Sequence, residues 1–242
     1  MNLLALDTAT EACSVALLQS FDPSAASAAL IERFEVAPRR HAELVLPMVE
    51  SVLTEAGLEL RDLDAIAVGR GPGAFTGVRL AVALAQGLAL GAGRPVVPVS
   101  TLATLAQGAV ARLAAPGDHV LALIDARMGE VYAGAFVVHD DGLVVPLGDE
   151  RVVPPTAVAA PAGDFVAVGT GWGAHRERLL AAWGRAPRAG DPDALPRAGD
   201  LARLAAQELA RGHAVDAAFA QPVYLRDKVA LTVAEQSVAR RG

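Results

Sequence analysis

The sequence has only one cysteine and one lysine among its 242 residues. Cys13 alone excludes an intramolecular disulfide, a zinc–cysteine cluster and a Cys-x-x-Cys redox pair, and a lone thiol suits a reducing compartment. Lys228 lies outside any Gly-Lys-Ser/Thr run, which closes the P-loop reading. The histidines, His41, His119, His139, His175 and His213, include no His-x-His, His-x-x-x-His or His-Glu-x-x-His pair, so the spacing for a metal site is missing. There is no Gly-x-Ser-x-Gly elbow. With 21 basic against 27 acidic residues, the net charge of -6 argues against a protein that coats nucleic acid by charge alone. The uncharged stretches between Arg79, Arg94 and Arg112 are broken by Gly91, Gly93, Pro95 and Pro98, and each falls short of the ~18–20 residues of a membrane helix. The N-terminus has no basic region, and Asp7 and Glu11 interrupt its apolar run, so it reads as a strand and not as a signal peptide. A soluble, cytoplasmic protein without a membrane partner is expected.

What is present is ordinary globular material, 53% apolar and 20% charged. A chain of this length buries about 70% of its unfolded surface in one large or two small domains. Short β-type runs at 2–7, 12–19 and 29–36 precede a helix over about 40–56 that stops at Gly57. A buried strand at 63–69, a glycine loop, a helix over about 74–90, a strand at 95–99 and a helix over about 101–114 follow. The pattern then restarts: 119–125 (HVLALID) resembles 2–7 (NLLALD), an apolar strand closing on an aspartate. Strands at 130–138, 143–153 and 164–168 come next, with helices near 174–183 and 198–211. The Pro/Gly/Asp-rich stretch 184–200 reads as a surface connection. The expected fold is α/β, with two related halves of βββαβα type. The first spans 1–100, with 198–225 packed on or near it. The second spans 101–225, and 226–242 forms a mobile tail that could be removed after Arg226 without loss of the fold.

The loop Gly69-Arg70-Gly71-Pro72-Gly73-Ala74-Phe75-Thr76-Gly77-Val78-Arg79 joins a strand to a helix, where free N–H groups and the helix dipole favour an anion. It satisfies the loose G-x-G-x-x-G/A pattern, but no acidic residue occurs from Ala65 to Gly117, so the ribose partner of a dinucleotide site is missing. The alternative is a tight turn packed closely on its neighbours. Asp7 and Asp125 end strands beside polar turns, positions that suit either phosphate-handling carboxylates or turn caps. Helix 74–90 carries small residues at Gly77, Ala81, Ala85 and Ala89, and again at Ala83, Gly87 and Gly91; such ridges let a neighbour approach closely.

Six segments, LALDTATEACSVALL, GRGPGAFTGVRLAVALAQGLALG, PVSTLATLAQGA, IDARMGEVYAGAF, VGTGWGAH and QPVYLR, resemble in sequence and order the TsaB (YeaZ) family, the bacterial accessory proteins of tRNA threonylcarbamoyladenosine synthesis. The resemblance runs from residue 1 to Arg226. It implies two actin-like/Hsp70-like (ASKHA) subdomains. It also implies a heterodimer with the catalytic paralogue TsaD, a larger assembly with the ATPase TsaE, self-association as a homodimer, and only indirect contact with tRNA. Asp7, Gly71, Pro72, Gly73, Thr76, Gly77, Asp125, Arg127 and Glu130 carry the motifs. Aligned through Pro98-Val99, the paralogue's metal-binding histidines fall on Thr101 and Leu105, which cannot replace imidazoles. Its second glycine motif corresponds to Val168–Gly173, where Trp172 adds a bulky ring. The implied function is a non-catalytic subunit with no cofactor of its own, ATP and metal being held by its partners. The alternative is an ASKHA-type phosphotransferase or hydrolase. A direct tRNA contact through Arg70, Arg79, Arg94 and Arg112 is the third, weaker reading.

Helix 41–56 is the expected partner-binding element. At about 100° per residue, Leu44, Met48, Val52, Val45, Ala56, Val49, Leu53 and Leu46 spread over about 200°, wider than the stripe of about 100° that a helix lying on a core needs. One flank, including Val45 and Met48, would then face water. Pro47 either kinks the helix or moves its start to near Leu46. The expected interface comprises His41, Leu44, Val45, Met48, Val49 and Val52, with Phe75, Val78, Arg79 and Val82 beside them.

Overall fold

A computed structural model describes residues 1–19, 29–110 and 112–226. The expected tail, and the polar loop at Asp22-Pro23-Ser24, lie outside the described residues. The first sheet contains β1 (Asn2–Asp7), β2 (Ala12–Gln19), β3 (Ala29–Val36), β4 (Ala65–Gly69) and β5 (Val96–Val99) in the order β3-β2-β1-β4-β5. The first three strands pair antiparallel, and β4 and β5 run parallel to β1. α1 (His41–Ala56) and α2 (Phe75–Ala92) cover one face. α3 (Thr101–Gln107) leads to the second sheet: β6 (His119–Arg127), β7 (Glu130–Val138), β8 (Val144–Pro146), β9 (Arg151–Val153), β10 (Phe165–Val168) and, after α4 (Thr170–Trp183), β11 (Ala189–Asp191). Its order is β11-β10-β6-β7-β8, with β9 also on β7. Each sheet sets an antiparallel strand on one side of its first strand (β2 on β1, β7 on β6) and two parallel strands on the other (β4 and β5; β10 and β11), and the second sheet adds β9 on β7. α5 (Ala198–Ala210) closes the described regular elements and packs on β1, β2, β4 and β5.

The two-residue period of β1 and β2 divides their side chains between two cores. Leu4, Leu6, Val15 and Leu17 meet α1 and α2, whereas Leu3, Ala5, Ala16 and Leu18 face α5. Both faces are covered, so these strands read as continuous apolar runs. β6 repeats the division: Val120, Ala122 and Ile124 join the core around α3 and α5, and Leu121 and Leu123 meet Trp172 and Phe165 under α4. α3 and α5 therefore form a central layer between the sheets, inside one continuous core. The start of α5 is capped from the sheet. The Ser14 hydroxyl accepts from the Ala198 N–H at 2.9 Å, and Glu32 accepts from the Gly199 N–H at 2.9 Å and from Arg197.

Several local expectations change. α1 begins at His41 and runs through Pro47, whose ring lies on the exposed side, where the carbonyl that it leaves unbonded can reach water. α3 ends at Gly108, short of the expected 114. The single strand expected at 143–153 is split into β8 and β9 by the Gly148 turn region. The stretch 184–200 is not only a connection: β11 adds a sheet edge made of Ala-Gly-Asp, held by backbone pairing to β10. α2 has the length and composition to cross a bilayer, but its Gly77, Ala81, Ala85 and Ala89 stripe is buried against the first sheet.

Candidate functional site

The two aspartates at the ends of β1 and β6 sit in different surroundings. Asp7 is buried; its Oδ1 accepts from the Ala9 N–H at 2.8 Å, and its Oδ2 has no partner among the described residues. Burial pushes its carboxyl up to about 6, with the Ala9 N–H pulling the other way. A Cβ on Gly69 would lie 1.9 Å from Oδ2, so glycine at that position leaves room for the carboxylate. Burial, then the Asp7 and Glu35 charges, raises the nearby Cys13 thiol to about 11, an unreactive state. Asp125 is exposed. It accepts from the Arg127 N–H at 3.1 Å and stands 3.3 Å from His175 Nε2, and its own N–H donates to the Thr170 hydroxyl at 3.2 Å. These bonds make it a turn cap.

The glycines of the first loop are consumed by packing. A Cβ on Gly73 would stand 2.4 Å from the Ala9 carbonyl oxygen, and one on Gly77 would stand 2.0 Å from that of Thr8. Gly71 has φ +95° and precedes a cis Pro72. Gly73 and Gly77 let the start of α2 lie on the β1–β2 turn, where the Thr8 hydroxyl donates to the Gly77 carbonyl at 2.7 Å. The second motif behaves alike. Gly169 and Gly171 abut the backbone of Leu123 and Ile124 in β6, and Trp172, 2% exposed, stacks on Trp183 at 5.7 Å. Thr101 and Leu105 are buried at the start of α3, beside Ser100, which caps the helix and donates to Glu150. Burial raises the Glu150 carboxyl, with the Ser100 bond and Arg70 acting against it.

A cleft of about 420 Å³ lies between the ends of the two sheets, lined by the glycine loop, Thr10, Ile124 to Met128, Tyr132, Thr170 and the segment Val223–Arg226. Thr76 is exposed at its rim, as is Arg127; Glu130 is half-buried. Among the described residues, no three His, Cys, Asp or Glu side chains are grouped to hold a metal ion.

The helix face requires a correction. Val45, Val49, Val52, Val78 and Val82 are all buried in the core between the first sheet and α1 and α2, so they form no surface. The wide apolar arc of α1 is used inward because the helix is wedged between β2, β3 and its neighbours. His41, Leu44 and Met48 are half-buried, while Leu46, Phe75 and Arg79 are exposed. On α2 the second small ridge, Ala83, Gly87 and Gly91, is also exposed, beside Leu90 at 78%. Three of the four arginines of the acid-free stretch are engaged by separate partners. Arg79 lies over Phe75, Arg94 donates to the Arg61 carbonyl, and Arg112 pairs with Asp191. Sequence reasoning left out Tyr224 and Arg226, which line the cleft; only their place in the QPVYLR segment marked them.

Sequence and fold together match a tRNA-modification family. The model described as TsaD, tRNA N6-adenosine threonylcarbamoyltransferase, matches residues 34–233. The tRNA threonylcarbamoyladenosine biosynthesis protein TsaB of Escherichia coli is 45% identical over 95% of this chain and 96% of its own length. Its Haemophilus influenzae counterpart is 39% identical over 95% of both. YeaZ from Pseudomonas aeruginosa superposes with a TM-score of 0.83 at 48% identity, covering 93% of this chain and 99% of that one. The chain belongs to the TsaB (YeaZ) family of tRNA threonylcarbamoyladenosine biosynthesis proteins.

Proposed function

We propose that this chain is a non-catalytic subunit that binds and activates a TsaD paralogue during threonylcarbamoyl transfer to adenosine 37 of tRNAs that read A-starting codons. The observation that carries the reading is at α3. Thr101 and Leu105, onto which the resemblance places the paralogue's metal-binding histidines, are packed into the core, so neither imidazole ligands nor access exists there. In Val168–Gly173, Gly169 and Gly171 press on β6 and Gly173 on Pro192, so the loop is used for packing and not as a phosphate cradle. The two sheets then represent duplicated actin-like subdomains whose fold persists without the chemistry. ATP and metal belong to the partners, including a TsaE ATPase, and the compartment is the cytoplasm.

The partner surface in this reading is the outward side of α1 and α2: His41, Leu44, Leu46 and Met48, with Phe75, Arg79, Ala83 and Gly87. It lacks charge along α2 apart from Arg79, and its small residues admit another helix at close range. The same side serves self-association. Reconstitution of the threonylcarbamoyl transfer with TsaD and TsaE, with and without this chain, tests the function. Transfer should require the chain, and Met48→Asp should weaken co-elution with TsaD while the fold survives. Val45→Asp should instead unfold the protein, because a buried unpaired charge costs several kcal/mol. Full transfer without the chain, or ATP turnover by the chain alone, would overturn the reading.

A further inference from the structure

The chain after α5 forms almost no regular structure, yet it is tied down along its whole described length. Val215 exchanges both backbone bonds with Val96, at 2.8 and 2.9 Å. Ala217 and Ala220 are buried against α2, and Gln86 donates to the Ala220 carbonyl at 2.9 Å. The Val223 N–H donates to the Arg70 carbonyl at 2.8 Å. Arg79 Nε donates to the Tyr224 hydroxyl at 2.6 Å, with its guanidinium 3.7 Å from the Phe75 ring centre. All of these anchors lie on the side of the first sheet.

Arg226 then crosses the cleft. Its Nη2 donates to the Ala126 carbonyl at 3.1 Å and to Glu130 Oε2 at 2.5 Å, and its Nη1 lies 3.7 Å from Met128 Sδ. All three acceptors belong to the β6–β7 turn of the second sheet. That turn is a defined receptor: Met128 and Gly129 have φ of 55° and 77°, as a primed hairpin turn requires, and Arg127, at 61°, follows a register shift after Asp125. The Arg226 side chain is only 18% exposed, so its charge-assisted bonds are partly shielded from water. At the far end of the cleft the sheets are joined through the apolar layer of α3 and α5, and Ser100 bonds Glu150 beside it. One end is a packed core; the mouth is spanned by one side chain of the last described residues.

We propose that residues 215–226 form an intramolecular clasp that sets the width of the cleft between the two sheets, with Arg226 as the catch and the β6–β7 turn as the receptor. Releasing the catch lets the second sheet move about the α3–α5 layer, which acts as the hinge. The remainder of the strap stays on α2, because its anchors do not involve the second sheet.

The test uses the full chain with spin labels at Glu11→Cys and Glu177→Cys, both exposed and on opposite sides of the cleft; Cys13, buried, stays unlabelled. Distances are measured by pulsed electron resonance in the parent, in Arg226→Ala and in Glu130→Ala. The expected result is a broader distribution displaced to longer distance in both variants. The Val223 amide should keep its exchange rate, because its bond to the Arg70 carbonyl lies on the first-sheet side and the strap stays in place. Distributions that superimpose on the parent would overturn the proposal. Should Arg226→Ala fail to fold, Glu130→Ala, which removes the carboxylate acceptor from the half-exposed turn, decides the question by the same two readouts.

Discussion

Two glycines on one helix should respond to the same substitution with opposite signs. Gly77 and Gly87 are both interior to α2, with ordinary helical backbone. In an exposed helix interior, Gly→Ala stabilises by about 0.5–1 kcal/mol, chiefly because alanine loses less conformational freedom on folding. Gly87 meets that condition, since a Cβ there finds nothing within 4 Å. At Gly77 the added Cβ would stand 2.0 Å from the Thr8 carbonyl oxygen and 3.1 Å from its carbon. These are backbone atoms, fixed by the pairing of Asp7 with Ser14 and by the Thr8 hydroxyl bond to Gly77 itself. No rotamer change can relieve the overlap; α2 must lift from the β1–β2 turn by more than an ångström. Overpacking of a rigid core costs about 1–3 kcal/mol and occasionally more, which exceeds the propensity gain. Urea denaturation of Gly77→Ala and Gly87→Ala gives the comparison, with midpoints falling for the first and rising for the second at unchanged slope. Equal midpoints, or a stabilised Gly77→Ala, would refute the reasoning that this loop's glycines exist for backbone approach.

Asp7 predicts a pH dependence. Its folded carboxyl stands near 6 against an ordinary 3.8, so between those values the folded state holds a proton that the unfolded chain has released, and stability falls as pH rises through the window. Asp7→Asn should flatten this slope, which amounts to about 3 kcal/mol at most, in melts taken from pH 3.5 to 7. A parent curve that rises over that range would contradict the assignment. Glu32→Ala removes an acceptor at the start of α5 and the partner of Arg197, and should lower stability by about 1–2 kcal/mol in the same denaturant assay. Cleaner still, Glu32→Gln should recover part of that loss, because its carbonyl can still accept from Gly199.

The elements were legible where period and punctuation agreed. β1, β2 and β4 are apolar runs bounded by polar turns, and α1 and α2 end at Gly57 and Gly93, each in the left-handed conformation that closes a helix. Legibility failed where the cause was tertiary. β11 is an Ala-Gly-Asp edge with no strand propensity of its own; its pairing with β10 exists only once that strand is in place. The wide apolar arc of α1 was read as a surplus flank, but a helix set against β2 and β3 with others beside it buries more than a simple stripe, and Val45 went inward. The outward apolar side is shared by Leu46 of α1 and the second small ridge of α2 at Ala83, Gly87 and Gly91, whose exposure the sequence left open because alanine and glycine are compatible with either side. For the glycine loops, spacing alone could not separate an anion cradle from a close turn. The positions of Thr8 and Ala9 under Gly77 and Gly73, and of Leu123 under Gly169, decide it, because a backbone atom already occupies the space that a side chain would need. Arg226 was the least readable of all: one arginine among many, marked in sequence by the QPVYLR segment alone, with its partner in a turn 96 residues earlier in the chain.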